Sequence, residues 1–196
     1  MTDAAARLAQ LALEAPARAG GTRVLAVDGR SGAGKSTVAA AVAYRLSAPV
    51  LSMERMYSGW EGLRAGIEAL VGSVLSPLAA GLAAEVPHYD WRSGGWRRPD
   101  RLEPPEVLVV EGVGAGALAA ARYVSVLAWV ELDEASRRAR AMAREGAAYE
   151  GHWEQWSAQE QQYLRSDHPA QRADVILAGA RDGGTAVVES NLELGY

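Results

Sequence analysis

The sequence has no cysteine, which removes both a disulfide framework and a thiolate nucleophile and fits a reducing cytoplasm. It has no run approaching the roughly 20 apolar residues that a membrane span needs. The opening segment, MTDAAARLAQLALEAPARAGG, lacks a basic stretch ahead of an apolar core. It therefore reads as an amphipathic helix with Leu8, Leu11 and Ala15 on one side, not as a signal peptide. There is little net charge: −4 over 196 residues argues against binding nucleic acid through bulk charge. Internal repeats and low-complexity tails are also missing. The remaining composition, 49% hydrophobic and 22% charged, is that of a globular protein with room for one domain and a small lid.

Lysine is the sharpest scarcity. Of 20 basic residues, Lys35 alone is lysine and the other 19 are arginine. A chain that uses arginine everywhere else directs attention to what arginine would do badly at position 35.

Around that lysine, Val24 to Asp28 is a short apolar run that ends at a glycine-rich turn, and Ser36 to Leu46 carries Val38, Val42 and Leu46 at helical spacing. Between them, Gly29-Arg-Ser-Gly-Ala-Gly34-Lys35-Ser36 matches G-x-x-x-x-G-K-[S/T] in full. Each residue type has a physical reason. The glycines let the backbone turn so that successive N–H groups face one anion. The helix start adds the positive end of its dipole. Lys35 brings a compact charge to the outer phosphates, where a planar guanidinium would need more room. The Ser36 hydroxyl can ligate Mg²⁺. Gly29, Ser31, Gly32, Ala33, Gly34, Lys35, Ser36 and Thr37 are the expected nucleotide-binding residues, with ATP and Mg²⁺ as cofactors.

Further along, Pro49 to Ser52, Glu106 to Glu111, Val124 to Leu132, Asp174 to Gly179 and Ala186 to Glu189 read as strands. Asp133 to Tyr149 and Trp153 to Leu164 read as helices. Trp60 to Gly81 reads as helical in two pieces broken near Ser76-Pro77, and Pro87 to Pro105 as a long polar loop. Alternating strands and helices around this phosphate loop predict an α/β, three-layer P-loop NTPase fold: a mostly parallel sheet with helices on both faces in a single domain, 1–196.

With these elements in place, the chain resembles the uridine kinase and phosphoribulokinase group of P-loop kinases, while Val27-Asp28-Gly29 also resembles cytidylate kinases. Ser52-Met-Glu54-Arg-Met-Tyr57 stands where the group has an Asp-x-Phe-Tyr type segment. The resemblance makes Glu54, a glutamate in place of the usual aspartate, the base on the acceptor hydroxyl, and puts Tyr57 in the acceptor pocket. His88-Tyr89-Asp90-Trp91-Arg92 resembles the group's aromatic and acidic acceptor segment, which gives Tyr89, Asp90 and Trp91 to substrate. Glu111-Gly112 stands at the Walker-B-like place and makes Glu111, with Ser36, a metal ligand. Arg137, Arg140 and Arg144 share one helix face and resemble the group's lid arginines, which implies a small helical lid at about 137–165. Arg137 would bind ATP, while Arg140 and Arg144 would steady the transferring charge. Trp153 and Trp156 read as core or lid packing.

The implied activity is an ATP-dependent phosphotransfer to a hydroxyl of a small molecule, with uridine or cytidine as the nucleoside example. The alternative is an ATP-binding regulator or inactive relative. Neither nucleic acid nor membrane is expected as partner, and self-association is left open.

Overall fold

The computed structural model of the protein describes residues 2–146, 151–179 and 185–188. Helix α1 (Thr2–Glu14) precedes β1 (Arg23–Asp28), α2 (Lys35–Leu46) and β2 (Val50–Ser52), after which Met53–Arg55 forms one 3₁₀ turn. A helical stretch follows as α3 (Leu63–Ala69), a π-helical segment (Leu70–Leu75) and α4 (Ser76–Ala79). Then come β3 (Ala84–Asp90), β4 (Gly95–Leu102), β5 (Val107–Glu111), β6 (Val126–Glu131), α5 (Glu134–Glu145), α6 (Trp153–Asp167), α7 (Pro169–Arg172), β7 (Val175–Gly179) and β8 (Thr185–Val188).

The main sheet runs β2-β5-β1-β6-β7-β8, parallel except for β8. Its strands are continuous apolar runs because both faces are covered. Side chains alternate along each strand, so Leu25 and Val27 join Val109, Ala128 and Val130 under α1 and α2. Val24 and Ala26 join Leu108, Val110 and Trp129 under Leu70, Val74, Leu75 and Leu78 and under Trp153, Trp156 and Tyr163 of α6. Leu25, Leu70, Leu75 and Leu108 are wholly buried. Each such side chain contributes about 1.5–3 kcal/mol of transfer free energy.

Two sequence expectations need correction. The segment from Pro87 to Pro105 is not a loop. Most of it is the hairpin β3–β4, a separate two-stranded sheet with a register shift between Val86 and His88. Pro87 and Pro99 are tolerated because each strand has a free edge. The helical stretch is also not interrupted at Ser76-Pro77. The proline sits in the first turn of α4, where its missing N–H matters little, and a π-helical segment directly before it accommodates the ring.

Register places the site. Val27 stands opposite Glu111, and Glu111 opposite Ser52. The carboxyl ends of β1, β5 and β2 therefore release their following residues side by side, at the point where the chain turns outward to both sides of β1.

Candidate functional site

Strand β1 hands directly into the glycine-rich loop, and the loop into α2. Gly29 has φ +147°, and a Cβ there would lie 2.4 Å from the Val130 carbonyl oxygen. Gly32 has φ +80°, and a Cβ there would lie 2.2 Å from that of Arg137. Backbone therefore packs on backbone at two points, which only glycine allows. Gly34, in the left-handed region, caps α2 without a side-chain hydrogen bond. The first N–H groups of a helix have no intrahelical partner, so this end is suited to an anion.

Lys35 lies over the loop and donates to the Arg30 carbonyl at 3.1 Å. The Ser36 hydroxyl donates to Glu111 Oε2 at 3.0 Å. A hydroxyl from the first turn of α2 and a carboxylate from the end of β5 fit Mg²⁺, which takes one or two protein oxygens and fills its shell with water and phosphate. Among the described residues no group of three or more His, Cys, Asp or Glu could hold a metal by itself, so the donor set suits an ion that arrives with its phosphates.

Beneath the loop sits Asp28, fully buried. Its carboxylate accepts from the amides of Gly29 (2.6 Å), Gly114 (3.2 Å) and Gly116 (2.8 Å) and from the Tyr163 hydroxyl (2.6 Å). Burial raises its pKa from the ordinary carboxylate value, against the pull of these donors. Asp28 thus ties the start of the phosphate loop to the β5 exit and to α6.

The cavity that opens over the loop has a volume of about 440 Å³. Ser31, Gly32, Gly34, Lys35, Ser36 and Thr37 form its phosphate end, Glu54, Glu111 and Arg144 its polar walls, and Tyr57, Trp60, Trp91 and Trp156 its aromatic end. Glu54 follows β2 on the 3₁₀ turn, and its own amide donates to Ser52 Oγ at 3.4 Å. Trp91 donates its indole N–H to the Glu54 carbonyl at 2.9 Å, which links the hairpin to this turn. Trp60 packs edge-on to Trp91 at 5.0 Å and stacks on His152 at 4.7 Å. The Tyr57 phenol donates to the Val113 carbonyl at 2.7 Å, and burial pushes its pKa up, so it stays protonated.

The three arginines of α5 do different things. Arg137 is buried and donates to the carbonyls of Leu132 (3.1 Å) and Ser31 (3.3 Å), so it props the phosphate loop from behind. Arg140 reaches over the loop, with Nη1 3.7 Å from where a Gly34 Cβ would stand. Arg144 extends to the acceptor side, 3.7 Å from the Glu54 carboxylate.

Of the hairpin residues expected to meet substrate, only Trp91 lines the cavity. Tyr89 packs on Trp91 and Trp96. The Asp90 carboxylate is engaged at the hairpin tip by Arg97, by the Ser93 hydroxyl and by the Arg92 amide. These donors hold its pKa well below the usual carboxylate range. Arg55 pairs with Asp100 and meets His88 Nδ1, outside the cavity lining.

Trp156, expected as packing, lines the cavity and donates to the Ser31 hydroxyl at 2.8 Å, and two further participants were not foreseen. Trp60 lines the cavity from a tight Gly59-to-Gly62 turn, and that glycine bracketing was the available signal. Glu160 is 1% exposed and binds the phosphate loop. Its signal was a carboxylate at the helical spacing of Trp153, Trp156 and Tyr163.

By sequence, the chain matches no described protein family and no curated protein. By structure it is similar to a possible uridine kinase from Bacillus stearothermophilus (TM-score 0.66, 19% identity, 89% of this chain and 97% of the other). It is also similar to a candidate fructose transport system kinase from a Silicibacter species (TM-score 0.58, 20% identity, 86% and 94%). A D-glycerate 3-kinase from Cryptococcus neoformans is a more distant likeness (TM-score 0.51, 11% identity, 95% and 97%). At such identities the likeness establishes the P-loop kinase fold.

Proposed function

We propose that this chain of P-loop kinase fold transfers the γ-phosphoryl group of ATP to a hydroxyl of a small molecule. One observation carries the reading: the phosphate loop and Glu54 open into the same cavity, whose lining also includes Tyr57, Trp60, Trp91 and Trp156. Phosphoryl transfer needs an acceptor oxygen in line with the γ-phosphorus and charge neutralisation around the transferring group. Lys35 and the α2 N-terminus would hold the outer phosphates. Arg140 and Arg144 flank the place where equatorial charge builds. Glu54 accepts the acceptor's hydroxyl hydrogen and orients it, and takes the proton late in a loose transition state. Ser36 and Glu111 would hold Mg²⁺, which when bound supplies further charge neutralisation between the terminal phosphates.

Trp60, Trp91 and Trp156 offer apolar faces to an acceptor with a planar ring, which supports a nucleoside such as uridine or cytidine as the first acceptor to test. The purified protein, incubated with Mg·ATP and separate panels of nucleosides, sugars, hydroxy acids and pantothenate-like alcohols, is expected to release ADP with one panel far above its ATPase background. Chelation of Mg²⁺ is expected to abolish that release. The contact between Glu54 and Arg144 favours a second reading, an ATP-binding regulator whose base is held by the lid. Tight Mg·ATP binding with no acceptor phosphorylated in any panel would replace the kinase reading with that one.

A further inference from the structure

Helix α6 touches the phosphate loop, the Trp60 turn and the buried Asp28. Glu160 accepts from the Ser31 amide at 2.7 Å, from Arg30 Nε at 3.1 Å and from the Trp156 indole at 3.1 Å. Trp156 also donates to the Ser31 hydroxyl at 2.8 Å, and Ser157 accepts from Arg30 at 3.0 Å. On the neighbouring face of the helix, Gln159, the residue before Glu160, donates to the Trp60 carbonyl at 2.6 Å and accepts from the Leu63 amide at 3.4 Å. Gln155 donates to Glu61 at 2.9 Å. At the far end Tyr163 holds Asp28 under the loop.

A buried carboxylate inside a loop built for phosphate is an electrostatic anomaly. Glu160 stands against the ligand that the loop attracts, although it pairs with Arg30 at 3.1 Å. A residue kept there for stability alone would serve better uncharged. What the carboxylate does provide is two oxygens with fixed aim. One sets the Ser31 amide while Arg137 holds the same residue's carbonyl from the opposite side.

The geometry points to α6 as a coupling element: Glu160 is a positioning residue for the phosphate loop, and Gln159 transmits its setting to the Trp60 turn. Occupation of the nucleotide site and order in the acceptor turn then share one free energy, which is reciprocal by linkage. The coupling rests on the nucleotide-site part of the proposed function but needs no turnover.

The decisive experiment follows hydrogen–deuterium exchange at the Gly62 and Leu63 amides of the full chain, with and without Mg²⁺ plus a non-hydrolysable ATP analogue. Binding of the analogue is measured in parallel by calorimetry. Bound analogue is expected to slow exchange in the turn by about 5-fold or more, a typical coupling factor. In Gln159→Ala that protection is lost while the analogue still binds. Glu160→Gln is read by its split: kcat falls by about 10-fold from misplacement of the loop, while the Kd of the analogue is unchanged or lower because a repelling charge is gone. A folding defect would weaken both. Protection that persists in Gln159→Ala, or bound analogue without protection in the unaltered chain, overturns the coupling. Protection without phosphorylation of any acceptor sustains the coupling and removes the kinase reading. Failure of the analogue to bind removes both.

Discussion

The Arg144 guanidinium lies 3.7 Å from the Glu54 carboxylate, which joins helix α5 to the residue proposed as the base. The two side chains are 54% and 63% exposed. A pair so exposed contributes about 0–1 kcal/mol, weak enough for nucleotide phosphates to draw Arg144 away. Arg144→Ala is therefore expected to leave the melting temperature near its original value. It should lower kcat by roughly 10-fold, about 1.4 kcal/mol of transition-state stabilisation. ATP affinity should change less than kcat. Equal losses in calorimetric Kd and kcat would show that Arg144 binds ground and transition states alike.

Glu54 sits on a 3₁₀ turn with its side chain largely in solvent, so Glu54→Gln should not disturb the fold. General-base assistance is typically worth 10² to 10⁴-fold, and phosphoryl transfer in Glu54→Gln is expected to drop by at least about 100-fold. ATP affinity should hold. Single-turnover transfer and ATP binding measured on one preparation test both halves. Near-normal transfer would exclude Glu54 as the base.

Lys35 donates to the Arg30 carbonyl, so its ammonium is already aimed along the loop. Removal of a charge-assisted hydrogen bond typically costs about 1.5–3 kcal/mol. Lys35→Ala is expected to weaken ATP binding by roughly 10-fold or more and AMP binding little, because AMP lacks the outer phosphates. Titration of ATP, ADP and AMP against the variant decides this. Lys35→Arg should also impair turnover, since a planar fork cannot take the place of a slim ammonium.

At the hairpin tip, Arg97, Ser93 and the Arg92 amide stabilise ionised Asp90 and hold its pKa below the ordinary 3.8. A carboxylate with a depressed folded pKa contributes stability above its unfolded pKa and loses it as pH falls toward the folded value. The tip is therefore expected to loosen as pH drops below about 3.8, read as a change in indole emission from Trp91 and Trp96 or as faster amide exchange at Gly94. Asp90→Asn should show the loosened signal already at neutral pH, with that acid transition gone. An unchanged acid transition in the variant would assign it elsewhere.

The main sheet was legible because its strands are buried on both faces and so read as unbroken apolar runs. Residues 24–28 and 107–111 are almost entirely apolar. The phosphate loop was legible because its chemistry is local. The hairpin β3–β4 was not. Strand β4 is exposed along nearly all its length, so no alternation of apolar and polar residues marks it. The parts that join distant segments were hidden for another reason. Arg137 sits at the helix spacing of Arg140 and Arg144, and only the packing of Gly32 against its own backbone shows that its side chain must go behind the loop. Glu160 and Asp28 act through partners well over a hundred positions away in the chain, and no short pattern records such pairings.

The hairpin forms no ladder with the main sheet and reaches the cavity through Trp91 alone. The hairpin's share of the cavity wall and the phosphate loop are thus carried on separable pieces of chain. Evolution can lengthen, recharge or replace the tip between Asp90 and Gly95 without reopening the six-stranded sheet. A graft of a foreign hairpin tip onto this body offers the same freedom to the engineer: one wall of the cavity redrawn by exchanging one short ribbon.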